Sequence, residues 1–124
     1  SKPADIVCMG IGENGHLAFN DPGIAKFGDT EMVKVVTLDE VCRQQQVNDG
    51  CFASLDLVPK KALSLTIPAL VDNGHLYCIV PAKTKARAVV ETVKGFVTEL
   101  IPASILRTKD TATLYLDPDS GYLL

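Results

Sequence analysis

Apolar residues in this chain gather in five short runs, separated by polar stretches that carry most of the glycine. The runs are Asp5–Met9, Met32–Thr37, Ala62–Thr66, His75–Val80 and Thr111–Leu116. Their length and their share of β-branched residues predict strands. Most are near-continuous in apolar character rather than alternating, which is the habit of strands buried on both faces of a parallel sheet. Helical patterns fall between them. Lys83–Lys94 places Ala86, Val89, Val90 and Val93 on one stripe and ends at Gly95, a stop signal. Asp39 is placed to cap a helix running through Val47 and closed by Asn48-Asp49-Gly50. Ile67–Val71 and Ala103–Thr108 read as shorter helical turns. Strands alternating with helices predict an α/β fold of three layers, a mostly parallel sheet with helices on both faces.

The length of 124 residues fits one domain, residues 1–124, and an apolar share of 47% is enough to build a core. Net charge is −3 and the pI lies near 5.2. An acidic chain lacks the basic face that nucleic acid or an anionic membrane needs, so neither is expected as a partner. No apolar run approaches the roughly 18–20 residues of a membrane span. The opening residues show no signal peptide and have the look of an internal boundary. Cys8, Cys42, Cys51 and Cys78 form no CxxC pair and no zinc spacing. They are read as reduced, buried thiols of a cytoplasmic protein, with no metal site.

Ligands of parallel α/β folds bind at the carboxyl ends of strands. Two segments leave such ends. Pro81-Ala82-Lys83-Thr84-Lys85 follows the fourth strand, and "MGIGENGHLAFNDPG", residues 9–23, follows the first. The second contains Gly10-Ile11-Gly12-Glu13-Asn14-Gly15, a literal G-x-G-x-x-G after a strand. The residues that follow do not open a helix, because Pro22 and Gly23 break it, so a dinucleotide site is rejected. Glycine there serves tight turns and close approach of backbone to a ligand. His16 brings an imidazole, a group able to move protons between oxygen atoms. Asp21, five residues on, is close enough to orient the imidazole, as the third member of a triad does. The same spacing also suits a loop histidine bonded to backbone, with Asp21 opening the turn before Pro22. Lys83 and Lys85 stand where a helix begins, an arrangement that invites an anion, though a solvated lysine pair reads the same way. Arg43 fits an exposed helix position, and His75 a structural one.

Gly10-Ile11-Gly12-Glu13-Asn14-Gly15-His16-Leu17-Ala18-Phe19-Asn20-Asp21-Pro22 resembles G-x-G-x-[DN]-G-H-[IL]-[AG]-F-N-[ED]-P of the glucosamine-6-phosphate deaminase (isomerase) family. Val58-Pro59-Lys60-Lys61-Ala62-Leu63, Lys85 and Pro102-Ala103-Ser104-Ile105-Leu106 are similar in order. The resemblance covers the whole chain but only the C-terminal half of the family's domain. It implies a Rossmann-like fold, incomplete because the N-terminal half is absent. With it go a carboxylate base and one phosphate loop, so the 124 residues alone are expected to be inactive and, with apolar sheet exposed, to self-associate. The resemblance further implies that His16 opens the sugar ring and Asp21 supports it. Asn14 stands where some members have aspartate. Gly10 would contact the sugar through its backbone, and Lys85 the phosphate. Arg43 is the one arginine in its segment that could be a second phosphate ligand. The implied reaction turns glucosamine 6-phosphate into fructose 6-phosphate and ammonia, with no cofactor. A 6-phosphogluconolactonase-like hydrolase and a non-catalytic sugar-phosphate sensor are the alternatives.

Overall fold

The computed structural model describes residues 2–124. All five expected strands form: β1 (Ile6–Met9), β2 (Val33–Thr37), β3 (Lys61–Leu65), β4 (His75–Val80) and β5 (Ala112–Leu116). The helices are α1 (Glu40–Asn48), α2 (Ile67–Val71) and α3 (Ala86–Lys94). Single turns of 3₁₀ helix cover Leu55–Leu57 and Lys83–Lys85, and a longer one covers Pro102–Thr108. Two of the three α-helices start at a side-chain cap. The Asp39 carboxylate accepts from the Cys42 amide at 2.6 Å to cap α1, and Thr66 caps α2 with Pro68 in its first turn. Among the described residues no helix is long and apolar enough to cross a membrane.

The main sheet is parallel, in the order β1-β4-β5. Ile6 pairs with His75 and Met9 with Cys78 across one seam; Leu76 pairs with Ala112 and Val80 with Leu116 across the other. Strand β4 is central and sends Leu76, Cys78 and Val80 to one face, each 1% exposed or less. Ile67, Leu70, Val89 and Leu106 belong to the same core. Strand order advances in one direction, β1 to β4 to β5. Right-handed crossovers advancing one way put their helices on one face, so α2 and α3 share a side.

The opposite face carries no helix among the described residues, whereas the sequence predicts helices on both. Ile6, Ile79 and Tyr115 lie there, half-exposed or more. A row of aromatic rings crosses it: His75 stacks on Tyr77 at 6.3 Å, and Tyr77 meets Tyr115 at 6.4 Å. His75 lies away from the carboxyl rim, at the start of β4.

Strands β2 and β3 depart from the expected parallel sheet. They pair with each other, antiparallel, Val33 with Leu65 through Thr37 with Lys61. The outer side shows Val33, Val35, Leu63 and Leu65 to solvent. Apolar residues on an uncovered side look, in sequence, like strands buried on both faces. The inner side packs Val36 with Leu38, Cys42 and Phe19 as a small separate core.

The thiols also divide. Cys42 and Cys78 are buried, but Cys8 and Cys51 are exposed, which corrects the uniform burial expected. Burial pushes the Cys78 thiol up to about 12. Burial, then the Asp21 and Asp39 carboxylates, does the same to Cys42, also to about 12.

Candidate active site

The loop after β1 is built from its own backbone. The Gly12 amide donates to the His16 carbonyl at 3.0 Å, and the Gly15 amide to the Gly12 carbonyl at 2.9 Å. Gly15 has φ +84°, a left-handed conformation that other residues resist. Its carbonyl accepts from the Ala103 amide at 2.9 Å, fixing the loop to the Pro102–Thr108 turn. Gly12 is needed for a different reason: a Cβ there would land on the His16 imidazole. Further on, Leu17 and Asn20 form an isolated bridge. The buried Asn20 amide donates to the Leu17 carbonyl at 2.9 Å and the Leu65 carbonyl at 2.7 Å, so the loop is stapled to β3.

This scaffold brings together Asn14, His16 and Asp21. His16 Nδ1 lies 2.6 Å from Asn14 Oδ1 and 3.2 Å from Asp21 Oδ1. The orientation of the Asn14 amide follows from its surroundings. Its oxygen accepts from the His16 backbone amide at 3.1 Å. Its nitrogen donates to Asp21 Oδ1 at 3.1 Å and Asp39 Oδ2 at 2.8 Å. His16 Nδ1 therefore faces two acceptors and carries the proton. Nε2 is left as the free acceptor of the neutral ring, with no protein partner among the described residues.

Asp21 is fully buried. Burial alone would raise its pKa. Hydrogen bonds from His16, the Asp39 backbone amide and the Asn14 side chain outweigh that and hold the carboxyl below the usual carboxylate range. A carboxyl whose folded pKa is depressed adds stability that is present above its unfolded value, near 4, and is lost as pH falls through the folded value. Asp21→Asn is expected to lower stability by about 1–3 kcal/mol at neutral pH. The gap from wild type should close below about pH 4. Thermal midpoints measured across pH check this; a gap that persists in strong acid contradicts it.

Lys85 reaches the same place from the other rim. Its Nζ donates to the Ile11 carbonyl at 2.9 Å, joining the carboxyl ends of adjacent strands β1 and β4. A cavity of about 310 Å³ opens there, lined by Gly10, Gly12, His16, Gln45, Gln46 and Lys85, among others. Lys83 lies elsewhere, 5.1 Å above the Tyr122 ring. Arg43 does not line the cavity either. Its Nη2 donates to the Leu55 and Val58 carbonyls at 2.9 and 3.2 Å, holding the loop beyond α1. The expected phosphate role is thus not where the side chain stands.

Three participants went unrecognised in the sequence. Gln45 and Gln46 come from α1, and Gln45 Oε1 accepts from the Glu13 amide at 3.0 Å. Asp39, read only as a cap, contacts both Asn14 and Asp21. Spacing of 25 residues between Asn14 and Asp39 offered no signal.

His16, Asp21 and Cys42 each offer a ligand atom within 4.8 Å of one another. The imidazole and carboxylate atoms are already engaged by Asn14, and the Cys42 thiol is strongly held in its protonated form. The set suits a hydrogen-bonded network better than a cation.

A mostly parallel α/β fold with a polar cavity at its carboxyl rim defines an enzyme-like small-molecule site. The chain matches no family model. It is 37% identical to the glucosamine-6-phosphate deaminase of Oenococcus oeni, over 99% of this chain and 50% of that protein. It is 38% identical to glucosamine-6-phosphate deaminase 1 of Bacillus subtilis, over 96% and 47%. The solved structure of a monomeric glucosamine-6-phosphate deaminase of the NagB superfamily superposes with a TM-score of 0.88 at 37% identity, over 97% of this chain and 48% of that one. A 6-phosphogluconolactonase from Leishmania guyanensis superposes with a TM-score of 0.65 at 26% identity, over 94% and 40%. The chain is thus homologous to the glucosamine-6-phosphate deaminases over nearly its entire length, and it spans about half the length of the curated relatives it matches.

Proposed function

We propose that the intact protein converts glucosamine 6-phosphate and water into fructose 6-phosphate and ammonia. One observation carries this reading: an imidazole held at Nδ1 by Asn14 and Asp21 has its free Nε2 beside a cavity that also receives Lys85. In its protonated form His16 donates from Nε2 to the ring oxygen as the pyranose opens, and Asp21 stabilises the imidazolium before that transfer. Gly10 and Gly12 leave backbone open to the sugar. A base then moves the C2 proton to C1 through an enolamine, and water hydrolyses the resulting C2 imine, expelling ammonia. That base is assigned to no residue of the 124. The amine is the leaving group and the carbonyl is internal, so the chemistry needs no cofactor.

Ammonia release from glucosamine 6-phosphate by the intact protein tests the reading. Hydrolysis of a 6-phosphogluconolactone without ammonia release would overturn it in favour of the lactonase alternative, and binding without turnover in favour of a sensor.

Lys85 is the phosphate ligand in this reading. A hydrogen bond to a charged group is worth about 1.5–3 kcal/mol, so Lys85→Ala should raise KM by about tenfold or more. Turnover should fall less, because the phosphate is remote from C1 and C2. Steady-state kinetics of the variant decide it, and an unchanged KM would remove Lys85 from the site.

A further inference from the structure

Three side chains and one backbone amide close a ring beneath the imidazole. The Asn14 amide donates to Asp21 Oδ1 and to Asp39 Oδ2. The Asp39 backbone amide donates to Asp21 Oδ2 at 3.0 Å. Asp39 Oδ1 meanwhile caps α1 at Cys42. An N-cap needs only one oxygen. The second oxygen of Asp39 is spent on the side chain that holds His16.

We infer that Asp39 is a positioning residue of the His16 site: with Asp21 it anchors the Asn14 amide in the one orientation that presents Oδ1 to His16 Nδ1. The three side chains are two carboxylates and one neutral amide, and of these only the amide supplies donors. A carboxylate at position 14 would face two others with no proton to share, and the repulsion is costly in so buried a place. Asn14 and Asp39 are therefore matched to each other. Where position 14 is acidic, a carboxylate at position 39 becomes a liability. The charged and titratable groups facing the imidazole from all sides are Asp21 on its own loop, Asp39 and Cys42 from the start of α1, and Lys85 from the segment after β4.

This inference rests on the reading of His16 as the proton-transferring group, but its test does not depend on the substrate. In the intact protein, Asp39→Ser keeps an oxygen for the cap and is too short for Asn14. Its thermal midpoint should stay near that of the wild type. The Nδ1 proton resonance of His16, protected in the wild type, should be lost to solvent exchange. Turnover should fall about tenfold, the scale of coupling within one network, while KM changes little. Asp39→Asn should lower turnover in the wild-type background, where one amide oxygen cannot serve both Cys42 and Asn14. The same change should raise turnover in the Asn14→Asp background, where it supplies a donor. A wild-type resonance and wild-type turnover in Asp39→Ser would overturn the proposal, as would an Asp39→Asn effect of the same sign in both backgrounds. If Asp39→Ser does not fold, the sign reversal decides. If the intact protein releases no ammonia from glucosamine 6-phosphate, the substrate reading fails, and the resonance alone judges Asp39.

Discussion

Replacing His16 with glutamine in the intact protein is expected to cut turnover of cyclic glucosamine 6-phosphate by about 10²–10⁴-fold, the usual worth of a positioned acid. The magnitude follows from the geometry. Asn14 and Asp21 fix Nδ1, so one ring nitrogen is reserved for holding and the other for chemistry. Glutamine can hydrogen-bond but cannot carry a proton between oxygen atoms at neutral pH. The loss should shrink when the open-chain sugar is supplied, or when the ketose is run in reverse, because less ring chemistry then precedes proton transfer at carbon. Comparing turnover in the two directions measures this. A variant with near-normal turnover of the cyclic sugar would make His16 a structural loop residue.

Gly12→Ala is expected to be nearly as damaging, although it adds a single methyl group and removes no polar one. The added Cβ would occupy the position of the His16 ring. His16 is 7% exposed and closely surrounded, so the ring cannot step aside without breaking its bond to Asn14. Overpacking of this kind costs about 1–3 kcal/mol. Turnover should fall towards that of His16→Gln, because a displaced imidazole no longer addresses the substrate. A thermal melt and an ammonia-release assay on the same sample check both halves. A stable Gly12→Ala protein with normal turnover would mean that the imidazole works from another position.

Much of this was legible from local pattern. The strands around residues 5–9 and 75–80 and their carboxyl ends identify the rim; the spacing of five leaves a His16–Asp21 pair and a plain loop histidine both open, and the resemblance of residues 10–22 favours the pair. What escaped depends on contacts distant in sequence. The antiparallel pairing of β2 with β3 was hidden because Val33, Val35, Leu63 and Leu65 are apolar yet uncovered. Arg43 was assigned by being the only cation in its segment, but the loop carbonyls of Leu55 and Val58 take its guanidinium. Asp39 satisfied the rule for a helix cap so well that nothing hinted at a second task for its other oxygen. Exposure of Cys8 follows from the absence of a helix over one sheet face, which the periodicity of β1 alone does not reveal.

The separation of β2, β3 and α1 from the main sheet bears on how the cavity breathes. Residues 33–65 are contiguous, pair only among themselves and share a small core around Val36, Leu38 and Cys42. Phe19 and Ile24 from the preceding loop pack against that core, and the other ties are polar: Asn20 and Phe19 at Leu65 and Ser64, Asn14 at Asp39, Glu13 at Gln45. Such a block has the makings of a foldon, able to open cooperatively at a free energy below that of global unfolding. Native-state hydrogen exchange should then show the amides of β2, β3 and α1 sharing one subglobal opening, while those of β4 exchange only through complete unfolding. During that opening Gln45 and Gln46 leave the cavity, and the His16 loop loses its ties to Leu65 and Asp39. Admission of a ligand would then be governed by local melting of about a quarter of the chain rather than by a hinge.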